Sequence, residues 1–166
     1  MQPFPYKIVP VRDDFLARAR VGGIDDLGQP VTRVVAAGGE PCRDVFRRAE
    51  AGEALILASY CPFQHVGPYR EYGPIFVLAQ HTDNVLPPAG LPFDDTHPYL
   101  GSSFVLRAYS CEEHIVDAVL STPGEALAHL ERLLTDSRTD FVLARYATYG
   151  CYSLRIERAT DPLPVH

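Results

Sequence analysis

The sequence predicts an α+β fold in which a mainly antiparallel, twisted sheet packs against one longer C-terminal helix and one short helix. Three observations predict it. Apolar and β-branched runs of four to seven residues recur along the chain and are punctuated by Gly and Pro. Two pairs of these runs flank short turns, as hairpins do. A sustained helical period with its own start signal occurs once, near the C-terminus.

Taken in order, Tyr6-Lys7-Ile8-Val9-Pro10-Val11 alternates as a first strand, and Asp13 then caps a helical turn carrying Phe15, Leu16 and Ala19. Gly22-Gly23 and Gly28-Gln29-Pro30 punctuate the chain before a β-branched run over 31–36. From Pro41 the period changes. Cys42, Val45, Phe46 and Ala49 stand at i, i+3, i+4 and i+7, with proline in first position and Gly52 beyond the end, which predicts a short amphipathic helix over 41–49. The runs 55–58 and 74–79 read as buried strands, joined by a turn-rich, aromatic and charged connection over 62–73. Residues 81–101 hold Pro87, Pro88, Pro92 and Pro98 without periodicity and read as one long loop.

Runs 104–109 and 114–120 form a predicted hairpin around Ser110-Cys111-Glu112-Glu113, and 141–146 with 151–158 a second around Thr148-Tyr149-Gly150. Between them Thr122-Pro123-Gly124-Glu125 is a capping box, so a helix is expected over 123–134 with Leu127, Leu130, Leu133 and Leu134 on its apolar face and His129 on the flank. Phe104-Val105-Leu106-Arg107-Ala108-Tyr109 is echoed by Phe141-Val142-Leu143-Ala144-Arg145-Tyr146 with the arginine moved by one. Strand alternation therefore sets Arg107 with Val105 and Tyr109, and Arg145 with Phe141 and Leu143. One guanidinium must pair on an apolar face or leave the core.

The chain has 166 residues, the length of one domain over 1–166, with 46% hydrophobic and 22% charged residues, a composition that buries a core without metal or disulfide. Its net charge of −6 argues against nucleic acid and against an anionic membrane surface. The bases are 14 Arg and one Lys, Lys7, which disfavours lysine chemistry and suits carboxylate or phosphate recognition. Without a charged and then apolar leader, or an apolar run of about 18 residues, a cytoplasmic protein is expected. Cys42, Cys61, Cys111 and Cys151 are irregularly spaced, so free thiols are expected rather than a zinc site. No phosphate loop, nucleophile elbow or H-E-x-x-H helix is present, and no cofactor is expected.

Several segments together resemble a known family. They are Arg33-Val34-Val35-Ala36, Pro41-Cys42-Arg43, Gly52-Glu53 with the strand through Tyr60, Pro68-Tyr69-Arg70 with Gly73-Pro74-Ile75-Phe76-Val77, Arg107-Ala108-Tyr109 and Gly150-Cys151. This set is similar to the bacterial family called domain of unknown function 1203, over almost the whole chain. The resemblance implies a small stand-alone protein and carries no assigned reaction. The chain departs from it at Phe141-Val142-Leu143-Ala144, where members carry polar or histidine residues, and at Asp44-Val45-Phe46, where members carry other residues. Histidine-dependent chemistry is therefore not carried over.

Three constellations are candidates for function. The first is a cleft for a small anionic ligand, or a protein partner, made by Arg43, Tyr69, Arg70, Arg107, Tyr109, Arg145 and Tyr149, with Tyr60 nearby. Its structural alternative pairs each arginine separately, Arg70 with Glu71 and Arg145 with an acid across the sheet. The second is a cysteine nucleophile, Cys151 or Cys42, acting on an acidic substrate. Cys42 equally belongs to the apolar stripe, and Cys151 lacks a neighbouring histidine. The third is a metal site of Asp94, Asp95 and His97, with His81 and Asp83, against which Asp-Asp-Thr-His-Pro is ordinary turn chemistry.

Overall fold

The computed structural model describes residues 5–83 and 99–159. The two expected hairpins form one sheet. Strands β7 (Phe104–Tyr109) and β8 (Ile115–Ser121) pair antiparallel, as do β9 (Phe141–Tyr146) and β10 (Tyr152–Arg158), and β1 (Tyr6–Val9) adds along β10. The sheet order is β1-β10-β9-β7-β8. The two echoing segments become its central neighbours, with Val105 opposite Arg145 and Arg107 opposite Leu143. That register brings both arginines onto the same face.

A single sheet is the first correction. The remaining strands form a second five-stranded sheet, ordered β2-β5-β6-β3-β4, from Thr32–Val35, Ala54–Tyr60, Gly73–Leu78, Pro41–Cys42 and Arg47–Arg48. Its pairs are antiparallel except β3 with β6, which run parallel at Cys42 and Phe76. The fold is therefore α+β with two largely antiparallel sheets.

The expected helix over 41–49 is the second correction, since that stretch is the β3–β4 hairpin. Cys42, Val45, Phe46 and Ala49 are all buried, so the apolar positions were read correctly and their geometry was not. The Arg43 amide donates to the Phe76 carbonyl at 2.9 Å, and the Ala49 amide donates to the Glu40 carbonyl at 2.8 Å. These sheet bonds replace a helical ladder. Phe46 takes φ of 51° to close the turn, an uncommon conformation for a bulky residue, and its ring lies edge-on to Tyr99 at 5.9 Å.

Helix α1 (Asp13–Ala17) continues as a π-helical turn over Arg18–Gly22, burying Phe15 and Ala19 as expected. Helix α2 (Ala126–Thr135) starts later than 123 because the Thr122 hydroxyl donates to the Glu125 carboxylate at 2.9 Å and leaves the backbone amides uncapped. The buried stripe becomes Ala126, Leu130, Leu133 and Leu134, and Leu127 is exposed. His129 Nδ1 meets the Ser121 hydroxyl at 2.9 Å.

Burial defines the layers. Helix α2 covers the first sheet's Phe104, Leu106, Val142, Ala144, Leu154 and Ile156. The opposite face of that sheet, with Tyr109, Phe141, Leu143 and Tyr152, packs on Ile56, Ala58, Tyr60, Ile75 and Val77 of the second. Full burial of each such side chain contributes about 1.5–3 kcal/mol. Of the predicted loop over 81–101, residues 84–98 lie outside the described residues, while Tyr99 and Leu100 are buried. Among the described residues no helix is long and apolar enough to cross a membrane.

At the start of β5, Arg47 forks Glu53 at 2.7 and 2.8 Å, and the Glu50 amide adds a bond at 2.7 Å. These donors hold the Glu53 carboxyl down at about 2. An unfolded glutamate titrates near ~4.3, so this contribution is complete above that value and is lost as pH falls toward 2. For a partly solvated pair Glu53→Gln is expected to remove about 1 kcal/mol at neutral pH and to flatten the acid limb of stability. Thermal melts from neutral pH to below ~3 check it, and identical acid slopes in both proteins would refute it.

Candidate functional site

The tip of the β3–β4 hairpin sends successive side chains to different places. Asp44 accepts from the Leu78 amide at 3.1 Å and from Arg20 Nη2 at 2.7 Å, which anchors the tip to its own sheet. Burial raises the Asp44 carboxyl against the pull of those donors. Arg43 turns toward the other sheet, where its Nε donates to the Tyr152 carbonyl at 2.9 Å and its Nη1 donates back to the Pro41 carbonyl at 2.6 Å. It is only 3% exposed. Arg48, one strand on, donates to the carbonyls of Gly39 at 2.8 Å and Tyr99 at 2.9 Å. Both guanidiniums lie over the Tyr146 ring, 5.2 and 5.3 Å from its centre, within cation–π range. Burial pushes the Tyr146 hydroxyl up to about 12.

A cavity of about 540 Å³ opens in front of these groups, between the face of the second sheet that carries Leu57 and Phe76 and the β9–β10 turn. Leu57, Pro74, Phe76 and Leu100 give it apolar walls, and Ser102, Ser103, Thr148 and Tyr149 carry hydroxyls at its border. Arg43, Arg48, Tyr146 and Cys151 also line it, and the described lining residues include two arginines and no carboxylate. In a chain of net charge −6 two guanidiniums are thus brought together against apolar walls.

The seven residues expected to form one cleft divide into three places. Arg43 and Tyr149 line the cavity. Arg107, Tyr109 and Arg145 lie on the inner face of the first sheet, where Arg107 Nη1 donates to the Tyr109 hydroxyl at 3.4 Å. Burial raises that hydroxyl above its ordinary value. Arg145 is buried, pairs with Glu71 and donates to the Gly150 carbonyl at 3.1 Å, so it supports the cavity's turn from behind. Tyr69 and Arg70 belong to the connection between β5 and β6, Tyr69 edge-on to His114 and Arg70 bonded to the His65 carbonyl and the Tyr72 hydroxyl. Tyr60 sits in the core between the sheets. The sequence reading missed Arg48 and Tyr146 as site residues. An arginine on a two-residue strand and a tyrosine ending an apolar run give no local sign of facing each other.

Cys42 is fully buried and burial pushes its thiol up to about 12, the reverse of what a nucleophile requires. Cys42 lies on a hairpin strand, where no helix N-terminus stands beside it to stabilise a thiolate. Cys151 is partly exposed at the cavity, and among the described residues the lining contains no histidine. Asp94, Asp95 and His97 lie outside the described residues. His81 and Asp83 are exposed, 3.3 Å apart, and among the described residues no three potential ligands cluster.

Fold and site together define an α+β protein of two packed sheets with an arginine-lined, largely apolar cavity beside the β9–β10 turn. The chain belongs to the family described as Protein of unknown function (DUF1203), whose model matches residues 39–158 and so contains the whole described lining of the cavity. No curated protein and no solved structure matches the chain.

Proposed function

We propose that this protein binds a small organic anion, a carboxylate or phosphate carried on an apolar body, in the cavity lined by Arg43 and Arg48. The observation that carries this is Arg43. It is 3% exposed, its bonds are to two carbonyls and one aromatic ring, and among the described residues no carboxylate pairs with it. A buried guanidinium without a counter-ion is costly, and an anion entering the cavity supplies one. The size is that of a small-molecule site. Apolar walls opposite a cationic end suit an amphipathic ligand better than a bare ion.

The arrangement favours binding over catalysis, because among the described residues Cys151 has no base beside it in the lining. Four free thiols fit a reducing, cytoplasmic setting, and the net charge supports a ligand other than nucleic acid.

The chain has no tryptophan, so Phe76→Trp, on the cavity wall, is a clean reporter. Titration with aromatic and aliphatic carboxylates and with phosphate esters is expected to give saturable fluorescence changes and a raised Tm. Arg48→Gln and Arg43→Gln should weaken the effective ligands by tenfold or more, about 1.4 kcal/mol. If no anion changes either signal, or if both variants respond as the parent does, the reading fails.

A further inference from the structure

We infer that Cys151 is a site of mixed-disulfide formation selective for small anionic disulfides, drawn in by the charge of the cavity that it lines. This rests on the reading of the cavity as an anion site. Two observations carry it independently of the thiol itself. Arg43 is buried, borders the cavity and has no carboxylate partner among the described residues. Arg48 brings a second guanidinium to the same space.

The geometry sets Cys151 apart from the other thiols. It follows the β9–β10 turn, partly exposed, with Sγ 3.8 Å from the Tyr149 carbonyl. Arg145 holds that turn through Gly150 and lies within electrostatic range of the sulfur. Cys42 and Cys61 are buried and closed to reagents. Cys111 is exposed but stands beside Glu112, whose carboxylate repels anions and raises the Cys111 thiol. The protein thus carries two accessible thiols, one sharing a cavity with guanidiniums and the other beside a carboxylate.

In the step, the Cys151 thiol loses its proton to solvent and the thiolate attacks one sulfur of the disulfide. A new S–S bond forms, the old one breaks, and the second half of the reagent leaves as a thiolate with the electron pair. Cys151 is oxidised and the small disulfide is reduced, with no other reactant. The cavity attracts the reagent and aligns it. The intrinsic nucleophilicity of the thiol need not differ from that of Cys111.

The test compares 5,5′-dithiobis(2-nitrobenzoate), a dianionic aromatic disulfide, with the neutral aromatic 4,4′-dithiodipyridine on the full chain. Peptide mapping by mass spectrometry assigns each adduct, and Cys151→Ser and Cys111→Ser isolate the two rates. The Cys151:Cys111 rate ratio should be about tenfold or more higher for the anionic reagent, the scale of electrostatic focusing, and should shrink as salt is added. Arg48→Gln should lower that preference, and Cys151→Ser should leave no fast anionic phase. An equal ratio for the two reagents, or a preference unchanged by both Arg48→Gln and Arg43→Gln, overturns the inference. The Phe76→Trp reporter separates the failures. If carboxylates bind while Cys151 shows no preference, the thiol's role falls and the cavity reading stands. If neither response is seen, both fall.

Discussion

Glu71→Ala is expected to destabilise the protein by about 3 kcal/mol, whereas Arg145→Met, which removes the other half of the same ion pair, should cost under about 1 kcal/mol. The asymmetry comes from burial. The Arg145 side chain is 6% exposed and Glu71 is 43% exposed. Burial lowers the Arg145 guanidinium, and its Nε has no hydrogen-bond partner. Arg107 and Arg155 occupy the same face, both opposite Leu143, so the surroundings are already cationic. Without Glu71 the charge keeps only the Gly150 carbonyl. Without Arg145, Glu71 returns to water and the flexible methionine fills the space. Urea unfolding of the two variants checks this, and equal losses, or a larger loss for Arg145→Met, would refute it.

The second large effect is expected at Asp26. Its side chain is 5% exposed and accepts from Arg12 at 2.5 Å, from Arg18 at 2.6 Å and from the Cys61 amide at 2.8 Å. These bonds tie helix α1 and its π-helical turn to the end of β5. Asp26→Ala should cost about 3 kcal/mol, because the Cys61 amide loses its acceptor and two guanidiniums are left with the exposed Asp14 as their shared carboxylate. Asp26→Asn keeps an acceptor for that amide and should cost about half as much. The neighbouring Asp25 accepts from the Leu27 and Gln29 amides at 2.9 Å to close a local turn and from the Ser59 amide of β5 at 3.2 Å. Urea midpoints for both Asp26 variants decide the matter, and equal losses would remove the distinct role of the Cys61 bond.

Residues close in sequence explain what could be read beforehand. The two C-terminal hairpins, strands β5 and β6 and the buried positions of the 41–49 segment follow from alternation, turn residues and apolar spacing within a few residues of one another. The same locality misled at 41–49. Apolar residues spaced i, i+3, i+4 and i+7 are buried by a helix, and here a hairpin with a left-handed Phe46 buries them as well. At Thr122 the capping side chains found each other before they found the backbone. The family likeness was legible as well, since its motifs are contiguous and the matched span covers them from Pro41 onward.

The cleft was legible as a set of residue types and not as a place. The need for one of the two echoing arginines to find a partner is a consequence of strand alternation alone. That the buried one is Arg145 and its partner Glu71, 74 residues away, depends on the fold. Arg43 meets Tyr152 across 109 residues for the same reason. Periodicity and turn chemistry act over about ten residues. The division of strands between two sheets, the pairing of charges and the cavity between Arg43, Arg48 and Tyr146 arise from packing among segments far apart in the chain, where no local pattern records which face meets which.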